Sequence, residues 1–246
     1  MRTVVVLPTY QEAANIGPVL RRIRATGLAE VVVVDDASPD GTAALAEALG
    51  QELGGISVLR RPGKAGFGPA SRAGMAWALD HGYEVVVGMD ADLSHDPAEL
   101  PVLVAALAAG ADLVVGSRYV PGGRIPDWPA HRRALSRWGN RYATFALGLP
   151  LSDATSGYRG YRAEVLRAID LTHVRADGYG FLIEMAYRVN RGGGTLAEVP
   201  IEFVDRQRDA SKMSFGIVVE AFALVTLWGF RDRVVGLCRR ATRAGR

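Results

Sequence analysis

Cysteine is nearly absent, since Cys238 is the only one among 246 residues. A lone thiol allows no disulfide within the chain and no cysteine-built zinc site, and it suits a reducing compartment. Lysine is almost as scarce: Lys64 and Lys212 stand among 29 basic residues, and arginine supplies the rest. The four histidines, His81, His95, His131 and His173, show no paired triad spacing. Strong charge of either sign is missing too, with a formal net charge of +3. No aromatic residues interleave the arginines in an RNA-binding pattern, so no nucleic-acid partner is expected. Met1-Arg2-Thr3-Val4 leads directly into a β-branched run, without the charged and apolar regions of a signal peptide. Long hydrophobic runs are likewise lacking. The best candidate, Phe215 to Phe230, has 16 residues with Glu220 as its only charge. As a helix it reaches about 24 Å at about 1.5 Å per residue, short of a hydrocarbon core of about 30 Å.

What is present is a globular composition, 49% hydrophobic and 22% charged. The length suits one large α/β domain, or one domain with an appendage, and needs no staples. The basic residues are unevenly placed: Arg231 to Arg246 holds six arginines against Asp232, a net of +5, which leaves −2 on the remaining chain. A second basic stretch, Arg118 to Arg141, carries six arginines against Asp127.

Apolar β-branched runs at Thr3 to Leu7, Val31 to Val34, Ile56 to Leu59, Glu84 to Met89 and Asp112 to Val115 alternate with helix-forming stretches rich in Ala, Leu and Arg. Continuous apolar runs such as Val31-Val32-Val33-Val34 indicate strands buried on both faces, hence a mostly parallel sheet flanked by helices. Ligands of such sheets bind beyond the carboxyl ends of the strands. Beyond Tyr119 a Gly/Pro-rich loop, a basic helix from His131 to Leu147 and a polar loop from Asp153 to Arg162 are expected. A helix around Phe181 to Asn190, a hairpin from Thr195 to Asp205 and a last apolar helix complete the reading.

Asp90 and Asp92 end the fourth apolar run, two residues apart, so both carboxylates can face one pocket. Two adjacent acids there invite Mg²⁺ or Mn²⁺, with oxygen ligands completed by substrate phosphates; the plainer alternative is capping of the next helix. Asp35-Asp36 follows the second run, where an acid often grips a ribose or base edge, and helix capping is again the alternative. Pro8-Thr9-Tyr10-Gln11-Glu12 closes the first run with an aromatic that could pack on a base. Gly63 to Gly68 lacks the spacing of either a P-loop or a dinucleotide fingerprint, which disfavours an ATPase or dehydrogenase; Lys64 within it could still reach a phosphate.

Together these segments resemble family 2 glycosyltransferases of the GT-A fold, and among them the polyprenol-phosphate (dolichol-phosphate) mannose synthases without transmembrane helices. The resemblance spans essentially the whole chain. It is carried by Val6-Leu7-Pro8-Thr9-Tyr10-Gln11-Glu12, Val34-Asp35-Asp36-Ala37-Ser38-Pro39-Asp40-Gly41-Thr42, Asp90-Ala91-Asp92-Leu93-Ser94-His95, Gly116-Ser117-Arg118-Tyr119, Thr155-Ser156-Gly157-Tyr158-Arg159, and Glu198-Val199-Pro200-Ile201 through Ser211-Lys212-Met213.

The resemblance implies transfer of mannose from GDP-mannose to a polyprenyl monophosphate. It implies that Pro8, Tyr10, Glu12, Val34 and Asp36 hold the nucleotide, and Lys64 is expected in a loop beside them. Asp90, Ala91 and Asp92 would meet the metal-bound diphosphate, Arg206 and Lys212 would clamp the donor phosphates, and Arg118 and Arg132 would meet the acceptor phosphate. Gln11 and Ser94 depart from the Asn and Gln usual in the family; the second leaves the third metal ligand open. A glycosyltransferase domain over residues 1–212 is expected, divided into a nucleotide-sugar half, 1–117, and an acceptor half, 118–212. Residues 213–246 would form an interfacial or core-packing helix with a basic tail, holding the protein peripherally on the cytoplasmic face of a membrane. Glucose transfer from UDP-glucose, a haloacid-dehalogenase-like phosphatase and a non-catalytic sugar-nucleotide-binding module are the competing readings.

Overall fold

The computed structural model describes residues 1–205 and 221–231. Seven strands, β1 (Thr3–Thr9), β2 (Glu30–Asp35), β3 (Ile56–Arg60), β4 (Val85–Gly88), β5 (Leu113–Ser117), β6 (Arg159–Arg162) and β7 (Leu196–Pro200), form one sheet in the order β3-β2-β1-β4-β6-β5-β7. All neighbours pair in parallel except β6, which runs antiparallel to both β4 and β5. The helices are α1 (Ala13–Ala25), α2 (Thr42–Leu53), α3 (Phe67–Asp80), α4 (Leu100–Ala108), α5 (Ala130–Leu147), α6 (Ala163–Ala168) and α7 (Gly178–Arg191). Residues 221–231 are also helical.

The valine runs explain the layers. Successive residues of a strand point to opposite faces, so Val5, Leu7, Val31 and Val33 join Ile16, Leu20 and Leu103 from α1 and α4 in one core. Val4, Val6, Val32 and Val34 join Met75, Ile183 and Met185 from α3 and α7 in the other. A residue that is fully buried on this pattern contributes about 1.5–3 kcal/mol relative to exposure. Close approach of α3 to the sheet requires Gly74: a Cβ there would lie 2.8 Å from Val34 Cγ2 and collide with Val6 as well. Gly148, in the left-handed region at φ 62°, ends α5, with Leu149 N–H returning to Thr144 O at 2.9 Å.

Two expectations change. The stretch from Thr195 to Asp205 is no hairpin: β7 pairs in parallel with β5, and only single bridges tie Glu202 to Arg124 and Phe203 to His95. Between β5 and β7 the chain passes through β6, which runs antiparallel to β5, and then through α6 and α7, so β7 reverses again and runs with β5, a consequence of topology that residue alternation does not carry. The polar stretch Asp153 to Arg162 contains β6 at its end. Arg159 disguises it, being 1% exposed with its guanidinium donating to the backbone carbonyls of Ser156, Ala154 and Leu182 at 2.5–2.6 Å.

Candidate active site

The loops after β1, β2 and β4 gather at one edge of the sheet, and each holds a non-glycine residue in the left-handed region: Gln11 (φ 59°), Ala37 (φ 56°) and Leu93 (φ 64°). Among the described residues only Asp170 shares this property. Such conformations cost about 1–3 kcal/mol apiece and concentrate at functional sites.

Side chains lock the first two loops together. Gln11 N–H donates to Ser38 Oγ, Glu12 N–H to Thr42 Oγ1 and Ala13 N–H to Asp40 Oδ2, each at 3.0 Å. The adjacent acids then divide their tasks. Asp35 accepts from Thr9 Oγ1 at 3.1 Å and from Ser38 N–H and Oγ at 2.9 and 2.5 Å, fixing the loop. Asp36 faces the Gly63 to Gly68 loop instead, taking Arg61 Nη1 at 2.5 Å and the N–H groups of Ala65 and Gly66 at 2.9 and 3.3 Å. That loop brings Lys64 Nζ to 4.2 Å from the centre of the Tyr10 ring, a cation–π contact joining two residues expected at the nucleotide. Val34 lies in β2 with its side chain wholly buried in the core. Pro8 lies opposite it on β1, one residue before the strand ends at Thr9.

Asp90, Ala91 and Asp92 leave β4 directly. Asp92 is 7% exposed, and its Oδ1 accepts from Ser94 N–H at 3.0 Å and Ser94 Oγ at 2.6 Å, so Ser94 orients this carboxylate. His95 Nδ1 receives the Asp90 N–H at 3.3 Å and lies 3.9 Å from Asp90 Oδ2. Gly157 packs against the other side, where a Cβ would sit 3.2 Å from Asp90 Oδ1. Among the described residues no group of three or more His, Cys, Asp or Glu gathers to cage a metal. Asp90 and Asp92 are hard oxygen donors, and such a pair would fit an open cation site whose remaining positions are left to water and substrate oxygens.

On the acceptor side Arg118 is 5% exposed. Its Nε and Nη2 meet the two oxygens of Asp153 at 2.7 Å each, its N–H reaches Asp153 at 3.1 Å, and Nη2 also reaches Thr155 Oγ1 at 2.9 Å. Burial works to lower the pKa of Arg118, but the charge and hydrogen bonds of Asp153 outweigh it and hold the arginine above its ordinary value. Burial conversely pushes Asp153 up, and Arg118 wins, leaving that carboxyl below the ordinary range. Glu198 on β7 supports the pair by accepting the N–H groups of Ser152 and Asp153 at 2.7 and 2.9 Å. Arg118 is thus a buried, internally paired cation rather than an open one, with no hydrogen bond on Nη1 among the described residues. Arg132 is more accessible, its guanidinium carbon 3.9 Å from the centre of the Trp128 ring and its Nη1 bonded to Asp205 at 2.7 Å.

Arg132 and Thr155 also line a groove of about 160 Å³ whose other walls are mainly apolar, among them Leu135, Trp138, Tyr142, Ile183, Phe222 and Val225. A larger hollow, about 760 Å³, lies among α6, α7 and Trp228, and none of the motif residues line it. Arg206 and Lys212 fall outside the described residues. Asp153, Glu198, Trp128 and His95 have no role assigned from sequence; the signals available were the place of His95 beside Asp-x-Asp and that of Glu198 at the head of the Glu-Val-Pro-Ile segment.

Residues 4–170 match the family model described as glycosyl transferase family 2, and the chain belongs to that family. It is therefore a glycosyltransferase, which excludes the phosphatase and the non-catalytic module. Among curated relatives it is 48% identical to an undecaprenyl-phosphate mannosyltransferase of Micrococcus luteus, over 98% of this chain and 99% of that one. It is 46% identical to a polyprenol monophosphomannose synthase of Mycolicibacterium smegmatis, over 95% and 89%. The fold is GT-A-like. A glucosyl-3-phosphoglycerate synthase from Mycobacterium tuberculosis, solved with Mn²⁺ and UDP, superposes with a TM-score of 0.68 at 24% identity, over 91% of this chain and 78% of that one. A Pyrobaculum calidifontis mannosyltransferase, solved with GDP-mannose and Mn²⁺, superposes at 0.60 with 21% identity, over 95% and 64%.

Proposed function

We propose that this glycosyltransferase moves mannose from GDP-mannose to a polyprenyl monophosphate with inversion, giving a β-linked mannosyl phosphate lipid and GDP. The observation that carries the reading is the pairing of Asp90 and Asp92 with an arginine-lined, partly apolar acceptor side in a chain 48% identical to an undecaprenyl-phosphate mannosyltransferase. Tyr10 and Lys64 would flank the nucleotide, with Asp36 holding the Lys64 loop in place. Asp90 and Asp92 would hold Mg²⁺ or Mn²⁺. When bound, that cation supplies neutralising charge to the departing diphosphate, which Arg206 and Lys212 would share.

The acceptor explains why no histidine base is needed. A phosphate monoester has its second pKa near 6, so at neutral pH it already carries a nucleophilic oxyanion. Arg132, and the Nη1 edge of Arg118, would orient that phosphate; arginine suits it because its planar fork matches phosphate oxygens. The apolar groove would take the first prenyl units.

The lipid must also be reached. Leu135, Trp138 and Phe145 on α5 and Leu227 and Phe230 on the neighbouring helix are 57–80% exposed. Arg133, Arg137 and Arg141 follow the same helix at four-residue spacing, and α5 contains no acidic residue. This is the character of a helix lying in an anionic membrane surface, which would put the enzyme peripherally on the cytoplasmic leaflet. Among the described residues no helix is long and apolar enough to cross a membrane. NMR of the anomeric centre of the product tests the chemistry: a β-mannosyl phosphate is expected, and an α-linked product contradicts single displacement.

A further inference from the structure

Asp205 is the carboxylate that engages Arg132, and nothing in the proposed reaction uses it. The bond is direct, Arg132 Nη1 to Asp205 Oδ2 at 2.7 Å, with the two side chains 34% and 40% exposed. The guanidinium carbon is at the same time 3.9 Å from the centre of the Trp128 ring, and the group binds oxygens through its N–H edges. A carboxylate on one of those edges lies where a phosphate oxygen would bond.

The segment carrying Asp205 is fixed to both halves of the site. Arg124 N–H donates to Ile201 O at 3.0 Å and Phe203 N–H to Arg124 O at 2.9 Å, tying it to the loop after β5. Val204 N–H donates to Ser94 O at 3.2 Å, tying it to the loop of Asp90 and Asp92. The Phe203 ring packs edge-on against both His95, at 5.4 Å, and Trp128, at 5.7 Å. The position of Asp205 is therefore coupled by contact to the loop on which the donor diphosphate would sit.

We infer that Asp205 is a built-in competitor for the acceptor phosphate: it occupies Arg132 and has to be displaced before the phosphate binds. The inference rests on the proposed acceptor role of Arg132. Its effect is a common threshold: every anion must displace the carboxylate, and a prenyl chain in the adjacent groove adds binding energy that bare inorganic phosphate lacks. Asp205 is a positioning residue, acting through Arg132 and touching no substrate.

The test compares wild type, Asp205→Asn, Arg132→Ala and the double variant. Two readouts are taken, acceptor KM and kcat with a polyprenyl phosphate, and binding of inorganic phosphate by calorimetry, which needs no turnover. Asp205→Asn is expected to lower acceptor KM about two- to fivefold, the factor that an ion pair of up to about 1 kcal/mol represents. It is also expected to leave kcat near wild type and to tighten inorganic phosphate binding by a similar factor. In the Arg132→Ala background the same change should do nothing. An unchanged or raised acceptor KM in Asp205→Asn overturns the inference, as does an equal effect without Arg132. If wild type transfers no mannose to any polyprenyl phosphate, the functional reading fails instead, and the phosphate titration still decides whether Asp205 guards Arg132.

Discussion

Replacing Asp153 with Ala probes how the acceptor side is held. Asp153 is fully buried, and its two oxygens accept from Arg118 three times and from Thr155 twice, through N–H and Oγ1. Truncation leaves the guanidinium of a 5% exposed arginine without its counter-charge. Breaking a buried pair from one side in this way costs about 3–5 kcal/mol. For a chain of this size that lowers the melting temperature by about 6–20 °C, at about 2–4 °C per kcal/mol. Asp153→Asn should cost less, because it keeps the shape and one acceptor. A double Asp153→Asn, Arg118→Met variant should recover part of the loss, since replacing both charges removes the orphan. The pH dependence has a definite sign. The folded pKa of Asp153 is below its ordinary 3.8, so its contribution is present above about pH 4 and disappears only as the pH falls through that lower value. Urea denaturation of the three variants at pH 7 is the assay. A loss below about 1 kcal/mol for Asp153→Ala would refute the reasoning, because that is the scale of an exposed pair.

Two further outcomes follow from the same geometry. Asp92→Ala should reduce turnover by at least a hundredfold while the circular dichroism spectrum and melting temperature stay close to wild type; near-normal activity removes the cation assignment. Replacing Trp138 and Phe145 with Asp should abolish flotation on anionic lipid vesicles, each apolar side chain having been worth about 1.5–3 kcal/mol when fully buried; wild-type flotation of the double variant excludes α5 as the contact.

The strands of the nucleotide half were readable because, apart from the half-exposed edge strand β3, each is an apolar run rich in β-branched residues and buried on both faces, and their order of acidic and proline-ended loops announced the edge that carries the chemistry. Asp90 and Asp92 were legible for the same reason, sitting where such a run stops. The acceptor side was harder. Arg118 was expected to meet the acceptor phosphate, yet it is paired inside the protein, because its partner Asp153 comes from a loop brought close only when β6 inserts antiparallel between β4 and β5. Asp205 was equally hidden: as the last residue of an expected hairpin it had no partner in sequence. The parallel pairing of β7 instead carries the chain across the mouth of the site, which is how that carboxylate reaches Arg132. Asp36 was expected at the nucleotide, and its ties to Arg61, Ala65 and Gly66 add a second task that no local pattern encodes.

Radiolabel transfer into a butanol-soluble lipid, with GDP-mannose and UDP-glucose supplied in parallel to a polyprenyl phosphate and a divalent cation, tests the central claim most directly. Label should pass from GDP-mannose, and transfer should stop when the cation is chelated. Transfer from UDP-glucose in preference to GDP-mannose, or no label in lipid from either donor, would contradict the account.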